Sequence, residues 1–290
     1  MRDRLLRDGF IILAVVFVGL RLFGIDPWAD SVDAYAYWTT RSGDFYAAAD
    51  TGRIGAYLYS PAFAQLLAPL TWLPVNVFTA IWTAINCAAL WYLLRRWSLP
   101  SLLFLPIPFE IISGNVHLLY AVAIVVGFRG VRWASSWALM FITKITPFIG
   151  VLWFLVRREW RAFAWAVGVT AAIVAVSFAL DRAAWEQWIA ILRGDIATGA
   201  SQGTVQTPGW YLAVPLLPRL VGAGALVVIA AAADRRWLLP FAVVLAMPIV
   251  WLNSLAVLAA VVPLWQARAV SVAKADAATA PAAAPRGTTA

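Results

Sequence analysis

The chain has 290 residues, of which 63% are hydrophobic and 12% charged, with a formal net charge of +8 and a mean hydropathy of +0.81. A soluble domain is about half apolar with roughly a quarter of its residues charged, so this composition excludes one and indicates an integral membrane protein. The single cysteine, Cys87, excludes an intrachain disulfide, and cations confined to short segments between apolar runs fit the positive-inside rule better than nucleic-acid binding.

Arg2, Arg4 and Arg7 precede the apolar run 10–25, which predicts a first span with a cytoplasmic N-terminus. It has no small-residue cleavage site and is expected to stay as an anchor. An acidic segment running from Asp26 to Tyr57 follows on the outer side and contains "WADSVDAYAYWTT". The next run, 58–94, is interrupted at Trp72-Leu73-Pro74. It predicts a short helix over 59–70 dipping into the outer leaflet and then a full span; two spans would instead put Arg95 and Arg96 outside.

Runs 99–128 and 133–156 each lie between basic clusters (Arg95 and Arg96, Arg129 and Arg132, Arg157 and Arg158) and are broken midway, at 110–117 and 143–147. Each predicts a pair of short helices. Broken helices at membrane depth are tolerated only where protein or a wet cavity satisfies the freed backbone, and a cavity opening outward is expected. Run 162–180 is an ordinary span. Residues 184–193, with Trp185, Trp188, Ile189 and Leu192 at helical spacing, predict an interfacial helix, and 194–209 a polar outer loop. Run 211–262 supplies further spans, with Arg235 and Arg236 expected on the cytoplasmic side. No internal repeat is evident, and most of the 17 tryptophans are expected to be interface anchors. The organisation is a transmembrane domain over 1–265 and a disordered cytoplasmic tail over 266–290, Ala/Pro/Thr-rich from Lys274 onward.

Ionisable residues at membrane depth are costly and mark candidate sites. Lys144, in "MFITKITPFIG", either snorkels or binds carbonyls freed by Pro147, or it faces a phosphate. Glu110, Asn115 and His117 flank Gly114 in "EIISGNVHLLY" and read equally as a self-satisfied cluster or as part of a site. One histidine and one glutamate make no metal site without a second ligand pair. Trp251, Asn253 and Ser254 interrupt another apolar run after Pro248, as a packed kink or as site residues. In the first outer loop, Asp26, Asp44 and Asp50 read as solvated, whereas Asp33 is followed by Tyr35, Tyr37 and Trp38. In an extended segment Asp33, Tyr35 and Tyr37 would share one face.

Taken in order, Asp33-x-x-x-Tyr37, "YLYSPAFAQLLAPLTWLP" at 57–74, "GNVH" at 114–117, Lys144-x-x-Pro147 before a basic loop, and "MPIVWLN" at 247–253 resemble glycosyltransferase family 87, a branch of the C-type (GT-C) multispanning transferases. The resemblance implies an all-α polytopic transmembrane bundle of GT-C type, with broken or short helices and a first outer loop carrying juxtamembrane helices. It implies inverting transfer of a sugar, mannose in the first instance, from a polyprenyl-phosphate donor to a lipid or glycan acceptor at the outer face of a bacterial inner membrane. Asp33 matches the catalytic base. Lys144 and His117, helped by Arg41 or Arg53, would hold the donor phosphate. Tyr35, Tyr37, Tyr59, Glu110, Asn115, Trp251 and Asn253 would bind substrate. No metal, cofactor or nucleic acid is expected, and the partners are membrane lipids, donor and acceptor. Two alternatives have other signatures: a transporter or flippase, against which stands the lack of two related halves, and a non-catalytic subunit of a glycan-assembly complex.

Overall fold

The structure, a computed structural model, describes residues 1–24, 31–47, 56–198 and 214–269. The readings made of Asp26, Asp50, Arg53, most of the 194–209 loop and the tail from 270 onward lie outside the described residues. The chain is an all-α polytopic bundle. Its helices in order are α1 (Arg2–Leu22), α2 (Val32–Thr39), α3 (Pro61–Thr71), α4 (Val75–Leu94), α5 (Ser98–Ser101), α6 (Pro106–Ser113), α7 (His117–Gly127), α8 (Ala138–Thr143), α9 (Leu152–Val156), α10 (Trp160–Leu180), α11 (Arg182–Thr198), α12 (Leu216–Ala232) and α13 (Leu239–Ala246). The final helix, α14 (Leu252–Ala269), has 3₁₀ geometry over Leu252–Ala260. It carries 266–269 in regular structure.

Among the described residues, Val75–Ser101, Trp160–Leu180 and Leu252–Ala269 are each long and apolar enough to cross a membrane, and α6 with α7, bent by 109°, can form a fourth crossing. The expected first span is shorter than the run suggested, because α1 ends at Leu22 and its uncharged stretch is only Gly9–Leu20. Helix α3 has 11 residues, about 16 Å at 1.5 Å per residue. That is half a hydrocarbon core, so α3 dips rather than spans, and Arg96 pairs with Asp3 at 3.5 Å. The arginines of the short basic loops gather at this same end. Arg129 lies over Tyr92, Arg236 over Phe128, and Arg157 pairs with Asp234.

The breaks follow from local chemistry. Pro61 and Pro106 open α3 and α6 at positions where a missing N–H costs nothing, and Gly114 closes α6 at φ 71°. Several of the freed backbone groups are taken by protein. Arg21 donates to the Ile112 carbonyl at 2.8 Å, Trp82 Nε1 to that of Gly114 at 2.6 Å, and Asn115 Oδ1 accepts the Val116 N–H at 2.8 Å. At the later interruption by Pro248, buried Arg219 donates to the carbonyls of Val214, Leu245, Met247 and Pro248. A guanidinium suits this work because it presents five donors in a fixed fork.

Tryptophan departs from the interface-anchor expectation at Trp82, Trp137, Trp153, Trp185 and Trp188, which are buried. Trp137 lies between two glycines, since a Cβ on Gly127 would meet its Nε1 at 2.5 Å and one on Gly150 its Cζ3 at 2.1 Å. Helix α11 exists where an interfacial helix is expected, but its tryptophan face is docked on protein. Trp188 Nε1 donates to the Leu58 carbonyl at 3.0 Å and Trp185 Nε1 to Ser177 Oγ at 2.9 Å.

Candidate active site

Residues distant in sequence converge where α2 meets the α6–α7 bend. A Cβ on Gly114 would stand 2.7 Å from that of Ala34, so the glycine lets α2 press against the bend and brings its neighbour Asp33 to Asn115. Asn115, Lys144, Glu110 and His117 all lie within electrostatic reach of the Asp33 carboxylate. Asp33 and Lys144 are half-buried, whereas Glu110 and His117 have no exposed surface. An acid and a cation thus share one site, away from the end where the arginines gather.

Behind Asp33 runs a chain of hydrogen bonds. Tyr37 OH donates to Tyr59 OH at 3.2 Å, and Tyr59 OH donates to Asn115 Oδ1 at 3.0 Å. Burial raises both phenols, with neighbouring tyrosine and Asp33 charge adding to it, so both stay protonated donors. Burial also raises the Asp33 carboxyl, while the Lys144 ammonium pulls it back down and the Glu110 charge pushes it up. A carboxyl held above its ordinary range by a dry setting, yet kept ionisable by a cation, is poised to accept a proton.

Behind Lys144 stands a second chain. Its Nζ donates to His117 Nε2 at 2.9 Å and lies 5.6 Å from the centroid of the Tyr59 ring. His117 Nδ1 faces Glu110 Oε2 at 2.9 Å, and Glu110 Oε1 accepts the N–H of His117 at 2.5 Å and of Leu118 at 3.4 Å. Tyr120 and Thr143 share a short hydroxyl contact nearby, and Ser254 Oγ lies 3.5 Å from His117 Nε2.

These contacts revise several roles expected from the sequence. Tyr35 does not join Asp33 and Tyr37, because the segment is helical and residues four apart share a face. Tyr35 is 47% exposed and packs on Trp38. Glu110 is fully enclosed, and its oxygens face His117 and Leu118. His117 is likewise enclosed, its ring nitrogens facing Glu110 and Lys144. Asn115, Tyr37 and Tyr59 are buried and support Asp33 from behind rather than lining an open surface. Half-buried Asn253 donates to Ser113 Oγ at 3.1 Å, and the Trp251 N–H donates to Ser254 Oγ at 3.1 Å, which ties α14 to the bend. Arg41 is exposed and stacks over Trp38 at 4.7 Å.

Arg21 and Arg219 were missed as parts of this architecture, although each stands apart from the basic loops at the edge of or within an apolar run. That isolation is the signal that marks them.

Comparison with curated proteins and with solved structures gave no match at a significant level. The family model of glycosyltransferase family 87 matches residues 57–280. The match takes in the Tyr59, Glu110 to His117, Lys144 and Asn253 elements, and Asp33, preceding it in sequence, joins them through the packing of α2. The chain therefore belongs to glycosyltransferase family 87 and is a membrane glycosyltransferase.

Proposed function

We propose that the protein transfers a sugar, mannose in the first instance, from a polyprenyl-phosphate donor to a hydroxyl of a lipid or glycan acceptor, with inversion, at the outer face of the membrane. The observation that carries the proposal is the shared site of Asp33 and Lys144, both half-buried and each backed by its own hydrogen-bond chain. An alcohol is a poor nucleophile until a positioned base takes its proton. In the proposed step the Asp33 carboxylate accepts that proton as the acceptor oxygen bonds to the anomeric carbon. The bond from that carbon to the donor phosphate breaks, and its electron pair stays on phosphate oxygen. Lys144 offsets the charge that develops there, in a site where water screens little.

A lipid-borne donor accounts for the setting. A groove of about 260 Å³ runs between α1, α4 and α6, lined by Phe10, Leu13, Phe17, Cys87 and Ile111, and presents hydrocarbon suited to an isoprenoid tail. The gathering of arginines at the opposite end supports placing that end in the cytoplasm by the positive-inside rule.

The test is transfer by protein reconstituted in lipid, given labelled polyprenyl-phosphate mannose and a membrane lipid extract, with mass spectrometry of the lipids. A lipid gaining one hexose is expected, and Asp33→Asn should lower the rate by about 10²–10⁴-fold, the usual contribution of a general base. Wild-type activity in Asp33→Asn, or no hexose gain with any polyprenyl-phosphate sugar, overturns the reading.

A further inference from the structure

The pairing pattern at the α6–α7 bend bears on which ring nitrogen of His117 carries the proton. Glu110 Oε1 receives two backbone N–H donors, and its Oε2 lies 2.9 Å from the ring Nδ1. A carboxylate so supplied is an acceptor throughout, which places the hydrogen on Nδ1. In the neutral imidazole the other nitrogen then bears a lone pair. An ammonium has donors and no acceptor, so the lone pair on Nε2 is what Lys144 Nζ requires at 2.9 Å. The other tautomer would set an N–H against an N–H.

Lys144 has need of such an anchor. It follows α8 in extended backbone, at φ −135° and ψ 103°, so no helix fixes its direction. We infer that Glu110 is a positioning residue, which locks His117 in the Nδ1–H form so that Nε2 holds the Lys144 ammonium beside Asp33. Its use in catalysis rests on the reading of Lys144 given above, while the tautomer does not. Because Glu110 lies on α6 and His117 begins α7, the same carboxylate meets the free N–H groups of the α7 N-terminus, where negative charge is favoured. The bend and the aim of the cation are thereby set by one side chain.

His117 is the sole histidine of the chain, so full-length protein labelled with ¹⁵N-histidine and purified without a polyhistidine tag gives one imidazole spectrum. Wild type should show protonated Nδ1 and unprotonated Nε2 at neutral pH. In Glu110→Gln the amide oxygen would take the backbone donors and turn its NH₂ toward Nδ1, so the pattern should reverse. In transfer assays Glu110→Gln should raise the donor KM by about tenfold or more, the equivalent of one hydrogen bond to a charged group, with a smaller change in kcat. In a His117→Gln background, where a side-chain carbonyl can face Lys144 without a tautomer, adding Glu110→Gln should cost no more than about twofold further.

Protonated Nε2 in the wild type, an unchanged pattern in Glu110→Gln, or losses that simply multiply in the double variant would overturn the inference. A residue acting only as a cap for α7 predicts that multiplication. If Glu110→Gln fails to fold, the wild-type spectrum decides alone. Activity retained in Asp33→Asn with the expected spectrum would sink the functional reading and leave the tautomer standing.

Discussion

Asp33 has to be ionised to act as a base, and its setting fixes how activity depends on pH. Its carboxyl is raised first by burial, with Lys144 working against that and Glu110 with it. The acid limb of kcat/KM is therefore expected above the range of an exposed aspartate. Lys144→Met should move it further up by removing the lowering charge, and pH–rate profiles of the two proteins check this. The same shift acts on stability. A folded-state pKa above the unfolded value contributes stability that is present below the unfolded pKa and lost as pH rises through the folded one. At neutral pH Asp33→Asn is thus expected to melt higher than wild type, and a thermal shift in the opposite direction would contradict it. Asp33 and Lys144 stand out in the sequence because ionisable groups near a bilayer are rare and costly, and the fold brings them within electrostatic reach of each other. Tyr35 was misassigned because alternation and helical spacing give different partners for the same tyrosines. The enclosure of Glu110 and His117 was not legible, since it depends on the sharp bend between two short helices.

Glycine decides how closely the elements approach. At Gly114 a methyl group would meet Ala34 at 2.7 Å on a backbone with φ 71°, a region costly for residues with a Cβ. Gly114→Ala should displace α2, cutting transfer while the protein remains inserted and folded, as judged by size-exclusion profile. Gly127→Ala and Gly150→Ala act elsewhere, because both press on the enclosed Trp137. Overpacking of this kind costs about 1–3 kcal/mol, so both variants should melt below wild type, and a smaller tryptophan replacement should relieve them. Proline, glycine and scattered polar residues made the breaks visible in the sequence. The partners that satisfy them were not, because the carbonyls bonded by Arg21 and Arg219 belong to segments far along the chain. Composition shows that a helix must stop, whereas only packing shows what meets its loose ends.

The topology follows from where the cations end up. With Arg96 beside Asp3 and Arg236 over Phe128, the basic loops occupy one end of the bundle and α2 the other. Single cysteines in a Cys87→Ala background test this directly. Tyr35→Cys and Trp133→Cys, at positions 47% and 59% exposed, should react with an impermeant thiol reagent from opposite sides of sealed vesicles. Alternation of apolar runs and arginines made this arrangement largely readable in advance, including the short α3. The length of the first helix was not, since its charged ends are inseparable from it in the fold. The convergence of α2, the α6–α7 bend and the Lys144 segment also orders events during synthesis. Asp33 leaves the ribosome long before Lys144, so the two can meet only after several later helices have been made. Because Asn253 of α14 also bonds Ser113 at the bend, the site is complete only when nearly the whole described chain has been synthesised.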